Sequence, residues 1–174
     1  YVAPTGFDST TNGSTVNAPF KTIKYACDYI SADLASRSPA TVYVTAGYYN
    51  EIIPIRIPSQ TTLVGDELRS VTVQPSPGFE QNNMFYVANG SGMRNMTLQG
   101  LSGTLGSVNA YGTKRPSAGA FVSLDPGTGA SDTSVHITSK SPYIQNITTF
   151  GTGCIGLKVD GSLHNAGNKS IVAN

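Results

Sequence analysis

Glu51 closes the hexapeptide AGYYNE, residues 46 to 51, and is the acidic side chain whose surroundings come nearest to a reactive pattern. Gly47, Tyr49 and Glu51 form a G-x-Y-x-E frame directly after the strand-like run TVYVT. A carboxylate beside aromatic rings suits proton transfer on a sugar, but that chemistry needs a second group. Cleavage of a glycosidic bond takes two carboxylates, and ester chemistry takes a carboxylate with a cationic stabiliser of the oxyanion. The chain has ten acidic residues, among them Asp66, Glu67, Asp125, Asp132 and Asp160. None recurs at the spacing of the strands below, so no row of acids converges on Glu51. We therefore read Glu51 as a carboxylate that closes a turn by bonding local backbone.

The remaining candidates read in the same way. In VGDELRS, residues 64–70, Gly65-Asp66 marks a corner, and Glu67 with Arg69 forms either a binding patch or a solvated turn. Exposed pairs contribute little, which favours the turn. His136 in SVHITS faces outward on a strand and His164 sits in the turn GSLHNAG. No Cys, His or carboxylate is spaced to join either, so no metal site is expected. Cys27 and Cys154 are far apart and read as two small buried thiols, a single bridge being the alternative. Tyr48, Tyr49 and Tyr111 have the rings to stack on sugars, though tyrosines beside strands more simply cover the exterior. Asn12, Asn89, Asn95, Asn146 and Asn168 each begin an Asn-x-Ser/Thr match, which a chain rich in these residues produces by composition.

The elements that must position these groups follow from composition and periodicity. A length of 174 residues suits one domain with a sizeable core. Charged residues are 12% and the formal net charge is +1, too little basic character to track a phosphate backbone. No apolar stretch approaches a membrane span. Neither nucleic acid nor membrane insertion is expected, and no cofactor is implied. In APFKTIKYACDYISADLA, Phe20, Ile23, Cys27, Ile30 and Leu34 advance by three and four, which predicts an amphipathic helix over 19–36 with Pro19 in its first turn. Pro39 disfavours helix in the residue before it.

After the helix come short strands separated by Gly, Asn, Asp and Pro. The predicted strands are 42–44, 53–58, 61–65, 71–75, 84–88, 93–98, 120–124, 135–139, 143–150, 155–159 and 170–173. Val42 to Thr62 is 20 residues, Thr62 to Met84 is 22, and Val135 to Ile155 is 20. MRNMTLQG at 93–100 recurs as IQNITTFG at 144–151, with Asn95 and Asn146 in matching places. A period near 20 in short strands predicts a parallel β-helix, with the two asparagines at equivalent corners. The Gly- and Ser-rich stretch 101–119 reads as an inserted loop between two coils. The whole is then one segment: a capping helix at 19–36, first coils at 41–100, the loop, and further coils at 120–174. A start at Tyr1 and the lack of a second lid after GNKSIVAN suggest that it continues in a longer chain.

Three resemblances bear on these residues. Gly47, Tyr49 and Glu51 are similar to an early signature of the esterases that demethylate pectin, but the later Gln-Asp and Asp blocks of those enzymes have no match. The opening YVAPTGFDSTTNGSTVNAPFKTIKYACDYI resembles the start of many right-handed β-helix proteins, where a Gly- and Asn-rich turn leads into the lid helix. The runs IPIRIPSQTTLVGDELRSVTVQP and SPYIQNITTFGTGCIGLKVDGSLHNAGNKSIVAN resemble large virion proteins of tailed phages, especially T4-like phages of marine cyanobacteria. The resemblance implies an all-β, right-handed, single-stranded parallel β-helix of the pectin-lyase-like type with an N-terminal capping α-helix. It implies a structural or adhesion module of a tail, baseplate or tail fibre, assembled in the host cytoplasm and carried in the virion. Other tail proteins, a homotrimeric assembly and host-surface polysaccharide are the partners it suggests. It offers no catalytic residues to carry over. The alternative is a carbohydrate-active enzyme, a tailspike depolymerase or pectin-esterase-like protein, acting on host polysaccharide.

Overall fold

Inward-facing Val42 and Val44 alternate with outward Thr41 and Tyr43, the period of two that a half-buried strand requires. The same logic repeats along the chain. A computed structural model of the protein describes residues 1–87, 90–108, 114–123 and 143–158. They are mostly β, with parallel strands in a strongly curled sheet, an arrangement compatible with a parallel β-helix.

Three parallel ladders carry the fold. The first joins β1 (Ala40–Val44), β4 (Thr61–Gly65), β7 (Gly92–Ser102) and β11 (Tyr143–Thr152). The second runs from β2 (Gly47–Glu51) through β5 (Val71–Pro75) to the later part of β7, and on to β11. The third joins β3 (Ile55–Arg56), β6 (Phe85–Tyr86), β10 (Ala120–Ser123) and β12 (Ile155–Lys158). In register, Val42, Leu63, Met93 and Ile144 pile up in one column, and Ile55, Phe85, Val122 and Leu157 in another. Leu63, Met93, Ile55 and Phe85 are fully buried. Truncating one such side chain to alanine typically costs about 2–5 kcal/mol.

Among the described residues the expected period near 20 holds only at the first step. Ala40 lies opposite Thr61, but Thr62 lies opposite Gly92 rather than Met84, which belongs to the approach to another ladder. Loops of different length at the corners stretch the repeat. Between the first two ladders, residues 45–46 join β1 to β2 and residues 66–70 join β4 to β5. Within β7 and β11 the chain bends without a break, at Asn95 and Asn146. These two have positive φ of 58° and 50°, and the Asn146 amide donates to Asn95 Oδ1 at 3.1 Å. A short polar side chain tolerates this left-handed conformation better than most. The repeated sequence frame is thus a stacked corner.

At the N-terminal end, Thr22 caps α1 (Ile23–Ser31), whose Ile23, Ala26, Cys27 and Ile30 are buried. The helix is shorter than 19–36. Pro19 precedes the cap, and Asp33 starts a separate short helix, α2 (Leu34–Arg37), by accepting from the Ser36 N–H. Leu34 is consequently 41% exposed instead of continuing the apolar face. Val2 covers the open edge of β1: its N–H donates to Tyr43 O at 2.8 Å, and its carbonyl accepts from Thr45 N at 3.0 Å. Unpaired strand edges invite association, and Val2 closes this one.

Two further differences concern residues read as loop or turn. Residues 47–51 form strand β2, and 101–119 contains the antiparallel pair β8 (Leu105–Val108) and β9 (Lys114–Pro116). The strands expected at 135–139 and 170–173 lie outside the described residues.

Candidate functional site

In β2 the inward face carries Gly47, Tyr49 and Glu51, while Tyr48 and Asn50 point out. Each inward residue meets the N-terminal cap. A Cβ on Gly47, whose φ is 154°, would lie 2.3 Å from Pro4 Cγ, so only glycine lets the leading segment cross there. The Tyr49 hydroxyl donates to Thr45 O at 2.8 Å, and the ring is 3% exposed. Tyr49 therefore belongs to the core and not to the exterior.

Glu51 is 1% exposed. Its Oε1 accepts from Ile23 N at 2.7 Å and its Oε2 from Lys24 N at 3.1 Å. The first N–H groups of a helix have no partner within it, and a carboxylate there answers both the vacant donors and the helix dipole. Asp8 completes the arrangement: its Oδ1 accepts from Lys21 N at 2.8 Å and Thr22 N at 3.1 Å, and its Oδ2 from the Thr22 hydroxyl at 2.9 Å. Thr22 Oγ1 in turn accepts from Tyr25 N at 3.1 Å. Glu51 closes a helix start distant in sequence, not the local turn expected for it. Burial pushes its carboxyl up to about 7; the Ile23 and Lys24 N–H bonds pull it down and the Asp8 charge adds to the rise. With both oxygens engaged beneath the helix, it presents nothing to a substrate.

The other candidates separate. Asp66 Oδ2 accepts from Ala46 N at 2.9 Å and ties two neighbouring corners together. Glu67 and Arg69 are both exposed and no ion pair joins them. Asn12 donates its amide to Phe7 O at 2.9 Å, a contact that braces the leading turn. Cys27 is buried and Cys154 partly exposed, both as free thiols, and burial pushes both thiols up. Among the described residues no three His, Cys, Asp or Glu side chains gather as a metal ion would require. Tyr111, His136, His164, Asn89, Asn168, Asp125, Asp132 and Asp160 lie outside the described residues.

Two polar features were not anticipated from sequence. A cleft of about 380 Å³ runs beside the third ladder, lined by Gln81, Asn82, Asn83, Tyr86 and Ser117. Asn83 is held in its wall: Oδ1 accepts from Ala120 N at 2.8 Å and Nδ2 donates to the Tyr86 hydroxyl at 2.7 Å. The Arg56 guanidinium lies 4.4 Å above the Tyr86 ring. The second feature is a row of amides on the outer face of the second ladder. Gln74 Nε2 donates to Asn50 Oδ1 at 2.6 Å, and Gln99 Nε2 donates to Gln74 Oε1 at 3.0 Å. Sequence gave no sign of it, because the three residues lie 24 and 25 positions apart in segments of unlike pattern.

No curated protein and no solved structure matches the chain. A family model described as a protein of unknown function, DUF1565, matches residues 5–174, and the chain belongs to that family.

Proposed function

We propose that this chain is a segment of a right-handed, single-stranded parallel β-helix that works as a structural and attachment module, in the setting of a phage tail, holding host-surface polysaccharide without cutting it. Support for the winding comes from the order of the strands. The chain visits the first, second and third ladders in turn through β1, β2 and β3, and again through β4, β5 and β6. It then does so through β7 and β10, and once more through β11 and β12. Continuous columns of core side chains suit a stiff rod.

The observation that carries the non-catalytic reading is the position of Glu51, which is buried with both oxygens bonded to helix N–H groups. A depolymerase would need two carboxylates facing one groove. Among the described residues no acidic side chain lines the cleft beside Tyr86.

The test is a turnover assay on a panel of bacterial surface polysaccharides, with release of reducing ends as the readout. Neither the wild type nor Glu51→Gln should release any. Turnover by the wild type would restore the enzymatic alternative, and its loss in a folded Glu51→Gln variant would assign it to Glu51.

A further inference from the structure

Asn50, Gln74, Gln99 and Phe150 occupy one register row across β2, β5, β7 and β11. The row beside it holds Tyr48, Thr72, Thr97 and Thr148. Neighbouring strands stand about 4.8 Å apart, so each row spans roughly 14 Å along the stacking direction. Tyr48 is 73% exposed and Phe150 is 60% exposed. These two open rings stand at the two ends of the strip. Neither row contains an Asp, Glu, Lys or Arg.

The amides between the rings are pre-oriented. Each ladder bond uses one N–H and one oxygen lone pair. Among the described residues, Gln74 thus keeps a second N–H and a second lone pair for an outside partner. Bonds running in one sense polarise each other and fix the direction in which the remaining N–H groups point.

We propose that the Asn50–Gln74–Gln99 strip, with Tyr48 and Phe150 as stacking rings, is a binding site for an uncharged polysaccharide lying along the strand-stacking direction. The charge pattern selects the occupant. A strip without ionic side chains offers no counter-charge to a uronate or sulfated glycan, whereas paired donor and acceptor sites at every strand step match sugar hydroxyls. The apolar faces of the sugar rings would rest on Tyr48 and Phe150. The inference rests on the attachment reading above and adds the site and the ligand class.

The experiment measures binding of the whole chain to an array of neutral and uronate oligosaccharides, followed by titration with the best ligand. Saturable binding to neutral oligosaccharides is expected. Tyr48→Ala and Phe150→Ala should each weaken it by about tenfold with melting temperature unchanged, since both rings are exposed. Gln74→Ala should weaken it at least as much. If the wild type binds a neutral glycan and all three variants bind it equally well, the strip is the wrong site while attachment stands. Binding confined to uronates overturns the ligand class, and absence of any saturable binding overturns the attachment reading together with the site.

Discussion

Asp8 and Glu51 divide four consecutive backbone amides between them at the start of one helix, Asp8 taking Lys21 and Thr22, Glu51 taking Ile23 and Lys24. One carboxylate arrives from the leading segment and the other from strand β2. The helix start is therefore fastened to the leading segment and to the sheet by hydrogen bonds to two carboxyl groups, in addition to its apolar face.

Replacing Glu51 tests that fastening. Glu51→Ala leaves two buried N–H groups without a partner and should destabilise the fold by about 2–4 kcal/mol. Glu51→Gln keeps one acceptor and should cost about 1–2 kcal/mol. Asp8 is less buried, so Asp8→Ala should fall below Glu51→Ala. Urea denaturation of the three variants gives the order, and a Glu51→Ala cost under about 0.5 kcal/mol would remove the anchoring role.

Stability should also depend on pH through Glu51. Burial holds its carboxyl at about 7 in the folded chain, whereas an unfolded glutamate ionises near 4.3. The folded state thus binds the proton more tightly. The stabilisation this gives is fully present below about pH 4.3 and is lost as pH rises through about 7. Melting temperature measured across this window should fall for the wild type relative to Glu51→Gln, which cannot titrate. Parallel curves would contradict the assignment.

Gly65 sits against the bend of the next strand. A Cβ there would stand 2.0 Å from the Asn95 carbonyl oxygen, a backbone atom with no room to retreat. Gly65→Ala should cost more than about 2 kcal/mol. Gly156, whose added Cβ would have its nearest contact at 3.6 Å, serves as the control and should change by less than about 0.5 kcal/mol. Equal effects at the two positions would mean that the corner is looser than described.

At Asn146, conformation and hydrogen bonding can be separated. Asn146→Gly keeps the left-handed backbone and loses only the bond to Asn95, for about 1 kcal/mol. Asn146→Ala adds the cost of a side chain in that region, for about 2 kcal/mol or more. Thermal unfolding of both variants measures the difference, and identical losses would assign all of the effect to the side-chain bond.

The two thiols should differ in reactivity. Cys27 is wholly buried on the inner face of α1, and burial pushes its thiol up strongly, while Cys154 is partly exposed. Iodoacetamide labelling followed by mass spectrometry should mark Cys154 first and Cys27 only on unfolding. Early labelling of Cys27 would show that the helix opens readily.

Periodicity carried far where the cause was local. Val42 and Val44, Leu63, and Val71 with Val73 announce their strands because apolar side chains alternate or cluster there. Ile23, Cys27 and Ile30 announce α1 by the same means. Asn95 and Asn146 could be matched because a bend that needs one residue type repeats it. Glu51 hid β2 instead, since an inward carboxylate looks like a surface residue until its partners appear 27 and 28 positions earlier. Asp8 was hidden for the same reason, lying 13 and 14 positions before the amides it meets. The amide row was equally invisible, because register sets it and corner loops of unequal length set the register.

That inequality has a practical use. The bend between the first and second ladders is made by residues 45–46 in one level, by 66–70 in the next, and by Asn95 alone in a third. The architecture already tolerates length variation at this vertex without disturbing the levels above and below. A foreign peptide grafted into 66–70 would therefore be displayed at a corner between two paired strands, whereas the same graft at Asn95 would split a continuous strand.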